Sequence, residues 1–312
     1  MPINSLHQKT SQRSFEPLFY NDNDNKSTTD SISTDGDDEI NFDIICDEFK
    51  FINGRMFVNL ENSCQVVAVD EKSISNMEIL EILYEHVWGG KFSAPVQNEL
   101  NNMCVLDIGC GSGSWIASVA ELYPKSTFIG IDIMDFKRED LPNLAFIKSN
   151  IFDGLPFPDN TFDYVHQSNM MLSIRKDKWP FIIDEIIRER DPRSTSLGPV
   201  MDKISKSFVA YLKVCGINTK INKELESMLL GTNKIVDIGV NSKGIPLGSW
   251  GGYIGELFLK NITELLSARI SSILDFMCMT EKDLKEIMEI APLEYNKHKS
   301  YAKTYRIYGR KI

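Results

Sequence analysis

Val105-Leu106-Asp107-Ile108-Gly109-Cys110-Gly111-Ser112-Gly113 is an apolar strand pattern that ends in an acid and turns on three glycines into the helical run Ser114 to Leu122. The first N–H groups of a helix have no partner inside it, and glycine lets a ligand come close to the backbone. A second apolar run, Phe128-Ile129-Gly130-Ile131, ends in Asp132. An acid at the end of that strand can accept both hydroxyls of a ribose. The nicotinamide pattern G-x-G-x-x-G needs Gly or Ala at 114. This chain has Ser114, which disfavours an oxidoreductase of that kind.

Two more strand ends carry polar groups. Asn150-Ile151 precedes the turn Leu155-Pro156-Phe157, and Asp163-Tyr164-Val165-His166-Gln167-Ser168 closes a fourth run. Imidazole titrates near neutrality, so His166 is read three ways: general base, substrate ligand or structural hydrogen-bonding residue. Trp115, on the helix after the glycines, reads as packing. The Met and Phe residues around 276–279 read as core, His86 as packed at a helix end, and His7 and His298 as exposed. No His, Asp or Glu group has metal-ligand spacing, and no G-x-S-x-G elbow is present.

The elements that must position these groups alternate. Strands are predicted over 104–108, 127–131, 144–147 and 162–166, with helices over 114–122 and 177–190 and a short one over 134–140. This alternation implies βαβ units and a parallel sheet. Upstream, Asn53-Gly54 marks a hairpin turn. Met77 to Tyr84 has apolar residues at helical spacing, and Pro95 to Leu100 suggests a second short helix. Beyond 198, helices are predicted over 199–214, 221–230, 254–276 and 280–296, with strands at 234–240 and 304–308. Residues 1–43 are polar and acidic and read as a disordered tail. The folded domain, 44–312, then comprises a lead-in (44–103), a cofactor half (104–190) and substrate-side helices with the last strands (191–312).

Bulk composition narrows the function classes. The 312 residues are 42% hydrophobic and 25% charged, ordinary for a globular chain. A net charge of −10 argues against a broad nucleic-acid surface. The six cysteines form no C-x-x-C pair, so no zinc or redox motif is expected and a reducing compartment fits, the cytoplasm with the nucleus open. No signal peptide and no bilayer-spanning run is expected. Oligomeric state is not readable.

Three blocks resemble the class I S-adenosylmethionine (SAM)-dependent methyltransferases: the glycine turn at 105–113, Leu155-Pro156-Phe157-Pro158-Asp159-Asn160-Thr161-Phe162-Asp163, and Trp179-Pro180 to Arg188. Phe51-Ile52-Asn53-Gly54-Arg55, Glu61-Asn62-Ser63 and Lys91 to Val96 are similar to the fungal, trans-aconitate-methyltransferase-like branch, whose substrates vary widely. The resemblance implies a Rossmann-like α/β fold, a mostly parallel sheet flanked by helices, with SAM as cofactor. It implies that Asp107, Gly109, Gly111 and Gly113 frame the methionine and ribose part. Asp132 takes the ribose hydroxyls and Ile133 lies against an adenine face. Asn150 and Ile151 meet the adenine edge, although Asn150 also reads as an ordinary turn former.

The pattern departs from the family twice. After Arg188, where a fifth apolar strand is expected, the chain runs Glu189-Arg190-Asp191-Pro192-Arg193-Ser194. The fifth strand is therefore expected to be missing, leaving a gap before the last strands. The stretch Cys64 to Asn76 also lacks the pattern of a cofactor lid. Two functions follow. One is methyl transfer to a small-molecule or protein acceptor; the other is a catalytically degenerate SAM-fold binding protein.

Overall fold

Strict alternation in the central strands decides which side chains meet. In the computed structural model, which describes residues 49–60, 66–96, 100–135, 141–186 and 199–312, a short antiparallel pair comes first, β1 (Phe49–Ile52) and β2 (Arg55–Val58). Helix α1 (Glu71–Trp88) follows. Then come β3 (Cys104–Ile108), α2 (Ser114–Leu122), β4 (Thr127–Asp132), β5 (Leu144–Lys148) and β6 (Tyr164–Gln167). These four strands form one parallel sheet in the order β5-β4-β3-β6. The chain builds outward from β3 to β5, then crosses back to β6 on the other side of β3. A crevice opens at such a reversal, beyond the carboxyl ends of the strands.

Register aligns Val105 with Phe128 and Tyr164, and Asp107 with Gly130 and His166. Side chains at paired positions share a face. Val105 and Phe128 pack with Trp115, Ile116 and Val119 of α2. Leu106, Ile108 and Ile131 face the opposite way, against Ile174, Trp179, Ile182 and Ile307. The centre of the sheet is thus buried on both faces, as a parallel sheet requires, while the edge strand β5 is partly exposed.

The remaining elements are α3 (Trp179–Ile186), α4 (Pro199–Val214), α5 (Ile221–Gly231), β7 (Ile235–Pro246), α6 (Gly252–Ser267), α7 (Ile270–Phe276), α8 (Glu281–Lys297) and β8 (Tyr301–Lys311). Strands β7 and β8 pair antiparallel over most of their length and, among the described residues, form a ladder of their own. The ladder runs well past the predicted bounds of 234–240 and 304–308. Its glycines are spaces for rings: a Cβ on Gly239 would lie 2.2 Å from the Tyr308 ring, and one on Gly244 would lie 2.8 Å from the Tyr301 ring.

Several expectations are corrected. The helix predicted over 254–276 is two helices that meet at Ala268 and Arg269. Residues 276–279 are not core: Phe276 and Cys278 are exposed, and Met277 and Met279 only half-buried. His86 lies exposed in the last turn of α1 rather than packed, while His298 is exposed as expected. The tail at 1–43, the fifth-strand segment after Arg188, and parts of the short helices at 95–100 and 134–140 lie outside the described residues. No helix among the described residues is long and apolar enough to cross a membrane.

Candidate cofactor site and adjoining chamber

The glycine turn is held by hydrogen bonds on both sides. Gly109 and Cys110 N–H both donate to the Ile131 carbonyl, at 2.9 and 3.1 Å. Gly111 N–H donates to Asp132 Oδ2 at 2.9 Å, and Met134 N–H donates to Oδ1 at 3.0 Å. A carboxylate has about four acceptor positions, so Asp132 keeps capacity for two hydroxyl donors. Gly109 sits at φ +66° in the left-handed region, and a Cβ there would lie 2.4 Å from Met170 Sδ. Gly113, at φ +73°, precedes the first turn of α2.

These groups line a cavity of about 380 Å³ at the carboxyl ends of β3, β4 and β6. Asp107, Gly109, Gly111, Asp132, Ile133, Asn150, Ile151 and His166 all border it, and Gly113 does not. Asn150 is engaged locally. Its Oδ1 accepts from Phe152 N–H at 3.1 Å, capping the short turn Ile151–Asp153, and its Nδ2 donates to Asp153 at 3.0 Å. The turn-forming reading therefore describes this side chain, although Oδ1 retains a second lone pair. On the side of the expected lid, Val66, Val67 and Val69 supply an aliphatic wall, so closure here is apolar rather than aromatic and acidic.

His166 is stacked on Trp115, with ring centroids 3.6 Å apart and planes 12° from parallel. Trp115 is in turn fixed by its indole N–H, which donates to the Lys91 carbonyl at 2.9 Å. Burial, and secondarily the charge of Arg306, push the imidazole down to about 3. It is neutral at physiological pH and a weak proton acceptor, which counts against the general-base reading and favours a positioning one.

A residue not anticipated from the sequence joins them. Met77, Leu80, Glu81 and Tyr84 of α1 all face the cavity, at helical spacing i, i+3, i+4 and i+7. Glu81 is the one charged group in that stripe, and this was the available signal. Burial raises its carboxyl, and burial also raises Asp107 well above the ordinary range, with Glu81 and Asp132 adding to the effect. Asp132 is raised by burial too. Three carboxyls crowded into one cavity form a setting that favours a cation. A ligand with a ribose, a sulfonium and an ammonium fits that set of acceptors and the turn that flanks it.

Comparison with known proteins agrees. Residues 105–192 match the methyltransferase domain family. The chain therefore carries a methyltransferase domain of the class I, SAM-dependent kind, for which SAM is the cofactor. The secondary metabolism regulator LAE1 of Pyricularia oryzae is 22% identical over 222 residues, 64% of this chain and 67% of that relative. The secondary metabolism regulator laeA of Coprinopsis cinerea is 28% identical over 146 residues, 45% of this chain and 36% of that relative. The matches thus span the relatives only in part. A solved phosphoethanolamine N-methyltransferase 2 of Haemonchus contortus, in complex with S-adenosylhomocysteine (SAH), is 15% identical with a TM-score of 0.39, covering 78% of this chain and 60% of that one.

Proposed function

We propose that this chain transfers a methyl group from SAM to a small-molecule acceptor. The observation that carries this reading is a second chamber, of about 270 Å³, that shares Glu81, Tyr84, His166, Ser168 and Met170 with the cofactor cavity. At about 270 Å³ the chamber lies just below the usual range for small-molecule sites, roughly 300 to 1,000 Å³, which suits a compact acceptor rather than a folded protein surface. When bound, SAM supplies a methyl group activated on a sulfonium. The chain's residues do the rest. Asp132 accepts the ribose hydroxyls while holding the glycine turn. Glu81 and Asp107 balance positive charge. Ile133 and Ile151 border the base, whose edge meets the Asn150-Ile151 backbone. His166, clamped on Trp115, forms the wall between the two spaces and fixes the direction of approach. Transfer between placed reactants needs alignment and exclusion of water more than a base.

We assign residues 44–103 to the lead-in, 104–190 to the cofactor half and 191–312 to the acceptor side. Cys104, Cys110, Cys215 and Cys278 are free thiols, which supports a reducing compartment, the cytoplasm or nucleus.

The test is calorimetric titration with SAM and SAH. Wild type is expected to bind both saturably. Asp132→Ala should weaken SAM at least about tenfold, or about 1.4 kcal/mol. Unchanged affinity in the variant would remove Asp132 from the site, and no binding by folded wild type would overturn the function.

A further inference from the structure

The acceptor chamber is basic although the chain carries a net charge of −10. Lys91, Lys303 and Arg306 line it, and among the described residues the only carboxylate in its wall is Glu81, at the border with the cofactor cavity. The cations are placed, not free-swinging. Arg306 donates to the Gly90 carbonyl at 2.8 Å and lies 5.0 Å from the centre of the Trp88 ring. Lys91 is paired with Glu85 at 2.6 Å. Lys303 is half-buried on β8, and its side-chain ammonium has no hydrogen bond or ion pair among the described residues. Trp179 also lines the chamber, is 6% exposed, and has an indole N–H with no acceptor among the described residues. An orphaned buried donor costs roughly 1–3 kcal/mol, so this N–H calls for an oxygen that the described residues do not provide. Around these donors stand the rings of Trp88, Phe92, Tyr164 and Tyr305. Planar faces of that kind favour a planar ring.

We infer that the acceptor is a small planar aromatic carboxylate, held by Lys303, Arg306 and the Trp179 indole N–H among the aromatic walls. This rests on the methyl-transfer reading above and names its substrate class. A carboxylate is already a nucleophile at neutral pH, which suits a site whose one imidazole is too weak a base to deprotonate an alcohol. A carboxylate oxygen forms a bond to the methyl carbon as the carbon–sulfur bond breaks. The electron pair of that bond stays on sulfur, the sulfonium becomes a neutral thioether, and the carboxylate becomes a neutral methyl ester. No proton moves. The ester, stripped of charge, loses its hold on the cations and can leave.

The experiment uses the full chain saturated with SAH. Calorimetry with 2-naphthoate, cinnamate, cyclohexanecarboxylate and 2-naphthol reads binding, and methyl-tritiated SAM with the same compounds reads product. The two aromatic acids are expected to bind at least tenfold more tightly than the alicyclic acid or the naphthol, and to give a label that is released by mild alkali, as an ester is. Lys303→Met and Trp179→Phe should each weaken the acids at least fivefold while SAH affinity stays within twofold. Either variant suffices if the other does not fold. Binding of SAH with no preference for the aromatic acids, or an alkali-stable label on 2-naphthol, overturns the substrate class and leaves the transferase reading standing. Absence of SAH and SAM binding overturns both.

Discussion

At the scale of single residues the site is a set of charges displaced from their usual state by burial. His166 and the three carboxyls are displaced in opposite senses, and the consequence for stability can be read separately. Its imidazole is held at about 3 in the folded chain, against an ordinary value near 6.5. Between those values the unfolded chain binds the proton and the folded chain does not. The stability that His166 contributes is therefore complete above about pH 6.5 and is lost as pH falls toward 3. Asp107 and Asp132, raised by burial, act the other way: their contribution is complete below the ordinary carboxylate range and is lost as pH rises through their folded values. A comparison of wild type with His166→Asn cancels the carboxyl contribution. Urea unfolding across about pH 7 to pH 4 should show a steeper loss of stability in wild type than in the variant. Equal slopes would mean that the imidazole is not shielded as described. The variant also loses the Trp115 stack, so its stability at pH 7 should be the lower of the two by about 1 kcal/mol.

At the scale of elements, α1 is the piece that turns a nucleotide-binding sheet into a closed site. Its N-terminus is fixed by Asp70, whose carboxylate accepts from Ser73 N–H at 3.1 Å and takes a two-point ion pair from Arg55 of β2, at 2.6 and 2.9 Å. Arg55 also reaches Glu264 of α6 at 3.9 Å. The hairpin, α1 and α6 are thus joined at a single guanidinium. Arg55→Met should cost about 1–3 kcal/mol in denaturant unfolding. It should also weaken SAM several-fold, because Glu81, Met77 and Leu80 ride on α1. Loss of stability with SAM affinity untouched would show that α1 is not positioned from this end. The elements also show what could be read in advance. Strand β3 and helix α2 lie where hydrophobic period and the glycines put them, and Asp107, Asp132, Ile133 and His166 converge because parallel register makes them. The break at Ala268 and Arg269 was not readable, since neither Gly nor Pro marks it. The length of β7 was hidden by Asn241-Ser242-Lys243-Gly244, polar residues stabilised there by pairing with β8. Glu81 was readable in principle, as the charged member of an apolar helical stripe. The second chamber was not, because Lys91, Trp179 and Lys303 are brought together only by the fold.

At the scale of the whole molecule, two rooms of opposite character share one wall. Asp107 and Asp132 line the cofactor cavity, Lys91, Lys303 and Arg306 line the chamber beyond His166, and Glu81 stands on the wall that both share. Such a division lets an electrophile that carries positive charge and an acceptor that carries negative charge each settle on its own side before they meet. The net charge of −10 adds a field at longer range that draws in a cation. SAM carries one more positive charge than SAH, and the two are otherwise nearly the same shape, so their difference isolates this electrostatic part. Salt screens the long-range field, with a Debye length of about 30 Å at 0.01 M and about 10 Å at 0.1 M. Raising sodium chloride from about 0.01 to 0.3 M should therefore weaken SAM several-fold and SAH far less, so that the preference for SAM over SAH shrinks with salt. The contacts to Asp132 proposed for both molecules inside the cavity should be screened little and set the affinity that remains. Titrations of the two ligands at matched salt concentrations check this. Parallel salt dependence would mean that the acids of the cavity are neutral when the ligand arrives, and that discrimination between cofactor and product lies in contacts at the sulfur alone.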